Sequence, residues 1–326
     1  MTLMDVVWML VRILIVFVVL LTAMAYTTYV ERRFLAWFQW RMGPNRVGWL
    51  GLVQPIADGV KLLFKQELIP RMADRFLYLL APALSFIAAF AIVSVIPVTR
   101  HFYIADVNIA LLLVLALSAL GSYGVILAGW SSGSKYPFLG SLRSCAQMIS
   151  YELALALTCI GVVLLAGSFS LQAITTQQAR MWYVIPQVLG FLVFMAAAVA
   201  ETNRSPFDLP EAENELVGGY HTEYSSMKFA LFFLAEYVAI INMSMLAAVL
   251  FFGGWQGPLL FGSGLAGLSG LFWFVLKTFV IIFAFIWLRA TLPRFRYDQL
   301  MKFGWLVLFP LALLNVLVTA WIKVFV

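Results

Sequence analysis

Eight apolar runs, each long enough to cross a bilayer, leave this chain little choice of fold. They cover 6–29, 76–98, 107–128, 146–166, 184–200, 227–252, 268–287 and 303–326. A helix rises about 1.5 Å per residue, so roughly 20 residues span a hydrocarbon core about 30 Å thick. Inside lipid every backbone polar group must be bonded within the protein, which leaves helices or closed barrels. The runs are too long and too weakly alternating for barrel strands. With 63% hydrophobic and 11% charged residues, no stretch remains for a soluble domain. The expected fold is therefore an all-α polytopic membrane protein, one transmembrane domain over 1–326. Aromatics near the run ends fit interfacial belts.

The N-terminus imitates a signal peptide, with Arg12, an apolar run over 13–21 and then Ala23-Met24-Ala25. Cleavage there would remove the first span and start the following basic segment outside, so a retained first helix is expected. Residues 49–70 read differently. Leu52, Val53, Ile56, Val60, Leu63 and Phe64 share one helical face, and Asp58, Lys61 and Lys65 the other. That pattern predicts an amphipathic helix lying in the interface plane. A helix packed on partner protein shows the same pattern. Of 21 bases, sixteen fall in connections on one side, from Arg32 to Lys302, and only Arg12, Arg100, Arg180 and Lys323 on the other. The first side is expected to be cytoplasmic, with both termini outside. The net charge of +6 reflects this bias and does not point to nucleic acid.

Cys145 and Cys159 lie fourteen positions apart in one predicted helix, about 21 Å along its axis, too far to bridge. His101 and His221 fall in polar connections. These residues offer no ligand set for haem, zinc or an iron–sulfur cluster, so any electrons must come from a partner. Residues 262–267 match GxGxxG, but no βαβ unit surrounds them, and the match reads as chance.

The chemistry concentrates in 201–224, ETNRSPFDLPEAENELVGGYHTEY. Six of the fifteen acids are here, Glu201, Asp208, Glu211, Glu213, Glu215 and Glu223, with Arg204 the lone base. Asp208 and Glu211 have capping-box spacing, which accounts for two of them but hardly for six. Glu152, Glu236 and Lys277 lie within predicted spans, where an ionisable group costs about 2.5–3.5 kcal/mol on translocon scales. Glu152 and Glu236 each sit about 12 Å in from the basic side. With Glu201 and the acidic loop they form a column of carboxylates that can hold and pass protons. A helix–helix hydrogen bond explains any one of them alone. Arg32, Arg33 and Arg41 after the first span, and Arg289, Arg294 and Arg296 after the seventh, read as a mouth for an amphiphile with a polar, reducible head. Positive-inside bias alone also explains most such arginines.

Glu31-Arg32-Arg33, Gly43-Pro44-Asn45, residues 54–58 (QPIAD), Ser150-Tyr151-Glu152, AETNRSPFDLPEAENELV, Glu223-Tyr224-Ser225, Ala235-Glu236-Tyr237 and residues 293–298 (PRFRYD) resemble the H subunit of bacterial respiratory complex I, the NADH-quinone oxidoreductase. The likeness runs from about Glu31 to Lys323 and is most specific at PFDLPEAE. It implies an eight-helix subunit of the bacterial inner membrane. That subunit joins the membrane arm to the peripheral arm, lines the quinone chamber and begins the proton path. Glu152, Glu201, Asp208, Glu211, Glu213, Glu223 and Glu236 would then be path or coupling residues. Arg32, Arg41, Asp58, Lys277, Arg289 and Arg294 would lie near the quinone or its channel. The substrate would be ubiquinone or menaquinone, with FMN and iron–sulfur clusters in partner subunits. The implied partners are the peripheral-arm quinone-site and iron–sulfur subunits, small membrane-arm subunits and lipid. Two rivals compete. A stand-alone secondary transporter would show inverted repeats and paired broken helices, and neither is visible. The related subunit of membrane-bound hydrogenases handles no quinone.

Overall fold

The computed structural model describes residues 3–100, 102–208, 217–258 and 266–325. Among them every regular element is helical, and seven helices are long and apolar enough to cross a membrane. The first, α1 (Leu3–Phe38), runs nine residues past its apolar stretch. Nothing in 30–38 breaks a helix; the chain turns only at Trp40, in the left-handed region, ahead of Gly43-Pro44. At 36 residues, or about 54 Å, α1 outlasts the hydrocarbon core and carries Glu31, Arg32 and Arg33 beyond it.

A tight turn follows, at which Tyr29 Oη and Arg33 Nη2 both donate to the Leu50 carbonyl at 2.6 Å. Gly51 has φ 80°, and a Cβ there would lie 2.2 Å from the Pro44 oxygen, so the turn needs glycine. The amphipathic helix α2 (Gln54–Phe64) is shorter than the 49–70 segment read from the sequence. It ends where Lys65 turns extended. Its apolar side chains stay exposed, Ile56 at 60% and Phe64 at 87%, as a face lying on lipid or on a partner requires. It is fixed at two points. Asp58 pairs with Arg32 of α1, and the Leu62 carbonyl accepts from Ser226 Oγ at 3.1 Å.

The bundle proper contains α3 (Arg75–Ile92), capped by Asp74, and α4 (Ala110–Ser131), which pack so closely that a Cβ at Gly124 would lie 2.0 Å from Ser85 Oγ. Then come α5 (Lys135–Ala166), α6 (Leu171–Gln177), α7 (Val188–Glu201) and α8 (Ser226–Phe252). The α5 helix starts eleven residues before its apolar run, with Pro137 in the first turn, where its missing N–H is harmless. The α8 helix is the bundle's centre, with 78% of its apolar window buried. By contrast α7 has fourteen residues, about 21 Å, short of the core thickness expected of a fifth span. Pro186, just ahead of its first turn, delays its start, and Asn203, at φ 51°, follows its end.

The last rods are α9 (Ala266–Thr291) and α10 (Tyr297–Phe303), which passes through a π turn at Gly304–Leu308 into α11 (Phe309–Phe325). Buried amides tie these helices together. Asn242 Nδ2 donates to the Ala89 carbonyl at 2.7 Å, and Gln187 bridges Asn315 and Thr319 at 2.6 Å each. Such bonds contribute about 0.6 kcal/mol each in membranes, so they set register more than stability.

Candidate functional site

At the basic end of the bundle the overshoot of α1 places Glu31 between two arginines. Arg289, near the end of α9, contacts Glu31 Oε1, and Arg204, just past α7, reaches the same oxygen at 3.4 Å. Arg204 Nε also lies 2.7 Å from Glu236 Oε1 on α8, with its guanidinium 4.4 Å over the Tyr237 ring. The side chains of Glu31, Arg204 and Glu236 are 6%, 10% and 11% exposed. Carboxylates this dry persist as ions only when paired. The result is a chain of alternating charge, Arg289–Glu31–Arg204–Glu236, running from the bundle's edge to its central helix.

The loop that presents Arg204 is pinned from three sides. Gln147 Nε2 of α5 donates to the carbonyls of Ala200 and Phe207, each at 2.8 Å, and lies 3.2 Å from Asn203 Oδ1. Phe207 stacks on Phe295 and Phe303, with centroids 5.7 and 6.3 Å away. Arg294 donates to the Asp208 carbonyl, so the PRFRYD segment after α9 docks on the acidic loop.

Glu236 and Glu201 line one cavity of about 90 Å³ between α3, α4, α7 and α8, together with Ser85, Ser118, Asn203 and Asn242. That is room for water beside polar groups that can hold it. Glu201 is 6% exposed, and its Oε2 has no hydrogen-bond partner among the described residues. Glu152 is only half-buried on α5, one turn beyond the cavity residue Met148.

Of the carboxylates singled out in the sequence, Glu201 and Glu236 share the cavity, Glu152 stands one turn beyond it on α5, and Asp208 lies in the loop that presents Arg204. Glu236 stands ten residues into its helix, about 15 Å, close to expectation. Glu152 stands seventeen residues into α5, because that helix starts early. Glu223 is set apart; its carbonyl accepts from Tyr78 Oη at 2.7 Å in a second cluster, where Tyr78 stacks on Tyr224 at 4.1 Å. Burial pushes the neighbouring His221 imidazole down to about 4, so it stays neutral near pH 7. Glu211 and Glu213 lie outside the described residues.

Among the basic-mouth residues, Arg32 and Asp58 form a half-exposed pair at 2.6 Å, backed by Gln54 Nε2 on Asp58 Oδ1 at 3.0 Å. Arg41 is exposed in the turn after α1. Lys277 is not brought to this mouth. It sits twelve residues before Arg289, about 18 Å along α9, and donates to the carbonyls of Phe252, Gly254 and Gln256, at 2.6, 3.0 and 2.5 Å. There it caps the C-terminus of α8 with positive charge where the helix dipole is negative, 4.8 Å over the Trp182 ring.

Sequence reasoning missed Glu31 and Arg204 as the junction of the site. Their signals were present: Arg204 is the only base among six acids, and Glu31 is an acid adjoining two bases. Among the described residues no three His, Cys, Asp or Glu side chains gather as metal ligands.

The profile of the NADH dehydrogenase family matches residues 11–320. The chain is 52% identical over 324 residues to the NADH-quinone oxidoreductase H subunit of Thermomicrobium roseum, covering 94% of this chain and 93% of that one. It is 50% identical over 313 residues to the protein of the same name in Brevibacillus brevis, covering 96% and 92%. A numbered second form of that protein, from Geobacter metallireducens, is 48% identical over 332 residues, covering 95% and 94%.

Proposed function

The chain belongs to the NADH dehydrogenase family as a membrane subunit of NADH:quinone oxidoreductase, and from that premise we propose that it couples quinone reduction to proton movement through its chain of buried ion pairs. The quinone head occupies the basic mouth bounded by α2, Arg32, Asp58 and Arg289. Arg41 and Arg294 line the approach. The electrons arrive from an iron–sulfur cluster in a peripheral-arm partner, loaded from FMN. Small membrane-arm subunits receive the protons on the far side.

One observation carries this reading: Glu31 and Arg204 connect Arg289 at the mouth to Glu236 in the carboxylate cavity without a break. Reduction of a quinone consumes protons and changes charge at the mouth. In a low-dielectric setting such a change repartitions Glu31 between its two arginines and alters how firmly Arg204 holds Glu236. Glu236 then exchanges protons with Glu201 through the shared cavity, and Glu152 passes them outward from α5. Glu211, Glu213 and Glu223 are further path or coupling residues in this reading, Glu223 from the separate cluster around Tyr78 and Tyr224.

The test compares two activities of the assembled complex. Arg289→Ala and Asp58→Asn are each expected to lower quinone-linked NADH oxidation roughly tenfold, or about 1.4 kcal/mol of transition-state stabilisation. NADH oxidation by a soluble artificial acceptor, which takes electrons upstream, should stay near the parent value. Equal loss of both activities in a fully assembled complex would remove these residues from the quinone site.

Orientation follows from the same reading. The basic end faces the cytoplasm, and both termini face the periplasm of a bacterial inner membrane. A cysteine at Ser134, between α4 and α5, should react with an impermeant thiol reagent only in inverted vesicles. One at Gln177, at the end of α6, should react only in intact cells. The opposite pattern would reverse the assignment.

A further inference from the structure

A groove of about 650 Å³ runs between α1, α8 and α9 on the outside of the bundle, away from the carboxylate cavity. Val19 and Ala23 of α1, Met245 of α8, and Leu271, Val275 and Phe279 of α9 are among its walls. The polar side chains on it are a few hydroxyls, of which those of Thr27 and Thr278 already donate to their own helices. On α1 the lining runs from Ile15 to Val30, about 22 Å, longer than one leaflet of a core about 30 Å thick. A whole acyl chain fits along it.

The end of the groove remote from the basic mouth shares Thr99 and Gly267 with a second cavity, of about 600 Å³. This one is polar. Arg100, Gln256 and Ser269 line it beside Trp182 and Trp255, the aromatic residues that favour the headgroup level. A second cation lies one turn beyond the groove's lining on α1. Ile15, Val16 and Val19 lie three, four and seven residues after Arg12, so Arg12 extends the stripe of α1 that lines the groove. Five of the 21 bases belong to this end of the bundle; Lys277 is held by the carbonyls of Phe252, Gly254 and Gln256, which leaves Arg100 and Arg12 as the cations nearest this opening. Asp106 is exposed in the same connection as Arg100 and leaves the pair in excess.

We propose that this groove and its polar mouth bind an anionic diacyl phospholipid, with acyl chains between α1 and α9 and its phosphate at Arg100 and Arg12. Guanidinium groups hold phosphate oxygens bidentately, and because the ammonium of a zwitterionic headgroup offsets its phosphate, two arginines here favour a lipid of net negative charge. A polyprenyl tail alone would give these arginines nothing to hold. The site is independent of the quinone reading, whose residues lie at the other end of the bundle. A lipid here would fill the seam through which α1, the helix that carries Glu31, packs on α8 and α9.

The experiment uses the purified complex in phosphatidylcholine nanodiscs. These are doped either with photoactivatable phosphatidylglycerol or with photoactivatable phosphatidylcholine of the same chains, and the labelled peptides are mapped. Phosphatidylglycerol should label α1 and α9 in preference to phosphatidylcholine by about fivefold for each arginine, since a base near the membrane surface favours an anionic lipid by that much. R12Q/R100Q should bring the ratio close to one, and R12K/R100K should keep most of it. Equal labelling by the two lipids, or a ratio unmoved by R12Q/R100Q, overturns the proposal. So does a photocrosslinker at Val275 that captures a neighbouring protein's helix or a quinone instead of lipid.

Discussion

Replacing Arg204 by methionine is expected to deplete the assembled complex and to abolish quinone-linked turnover in whatever assembles. Arg204 separates Glu31 from Glu236, and all three side chains are at most 11% exposed. A buried ion pair is poor evidence of net stability, because desolvation offsets most of the attraction. Removing one partner is another matter, and typically costs about 3–5 kcal/mol. Set against a total of roughly 5–15 kcal/mol for a folded domain, that loss is large. Glu31 keeps Arg289, so Glu236 bears most of it. Arg204→Lys should be intermediate, since one ammonium cannot serve both carboxylates and stack on Tyr237 as a guanidinium does. The diagnostic variant is Arg204→Met with Glu236→Gln. Removing the stranded carboxylate should restore part of the assembly without restoring turnover, and a double-mutant cycle would read this as coupling of more than about 1 kcal/mol. Assembly and turnover of Arg204→Met at parental levels would disprove the role assigned to the ion-pair chain.

The helices were legible because lipid leaves so few alternatives. Where the prediction and the structure part, hydrophobicity and helicity part too. Residues 30–38 and 135–145 are too polar to read as spans, yet their one proline, Pro137, falls in a first turn where it is tolerated, so α1 and α5 extend through them. Conversely, 184–187 are apolar enough to count as span, but Pro186 keeps α7 from starting until Val188. The acids of the site could be picked out singly, since each is expensive where it stands. Their partners could not. Glu31 meets Arg204 across 173 positions, and no local pattern encodes such a meeting. Lys277 shows the same gap from the other direction. Its charge within a span was visible, but only the fold shows that it is spent on three carbonyls at the end of α8.

The carboxylate cavity yields the sharper separation of structure from function, because its two acids are held differently. Glu236 is ion-paired with Arg204, so Glu236→Gln disturbs both the fold and any proton route through it. Among the described residues Glu201 has no ion pair, and its Oε2 is buried with no hydrogen-bond partner. A carboxylate left in that state does little for stability. Glu201→Gln keeps the shape and the hydrogen-bonding capacity of the side chain but cannot release a proton. It is therefore expected to assemble normally and yet to lower turnover and proton uptake together, by about tenfold or more, given the 10²–10⁴-fold typical of a positioned proton-transfer group. Glu201→Asp should be milder, because it keeps a titrating group and shortens the reach across a 90 Å³ cavity by one methylene. Glu152→Gln should resemble Glu201→Gln, since Glu152 is half-exposed on α5 one turn beyond the cavity. Turnover and proton uptake are to be measured side by side in vesicles holding the whole complex, with assembly checked on native gels. If Glu201→Gln and Glu152→Gln both assemble and move protons at the parental rate and stoichiometry, the cavity is packing and protons travel by another route.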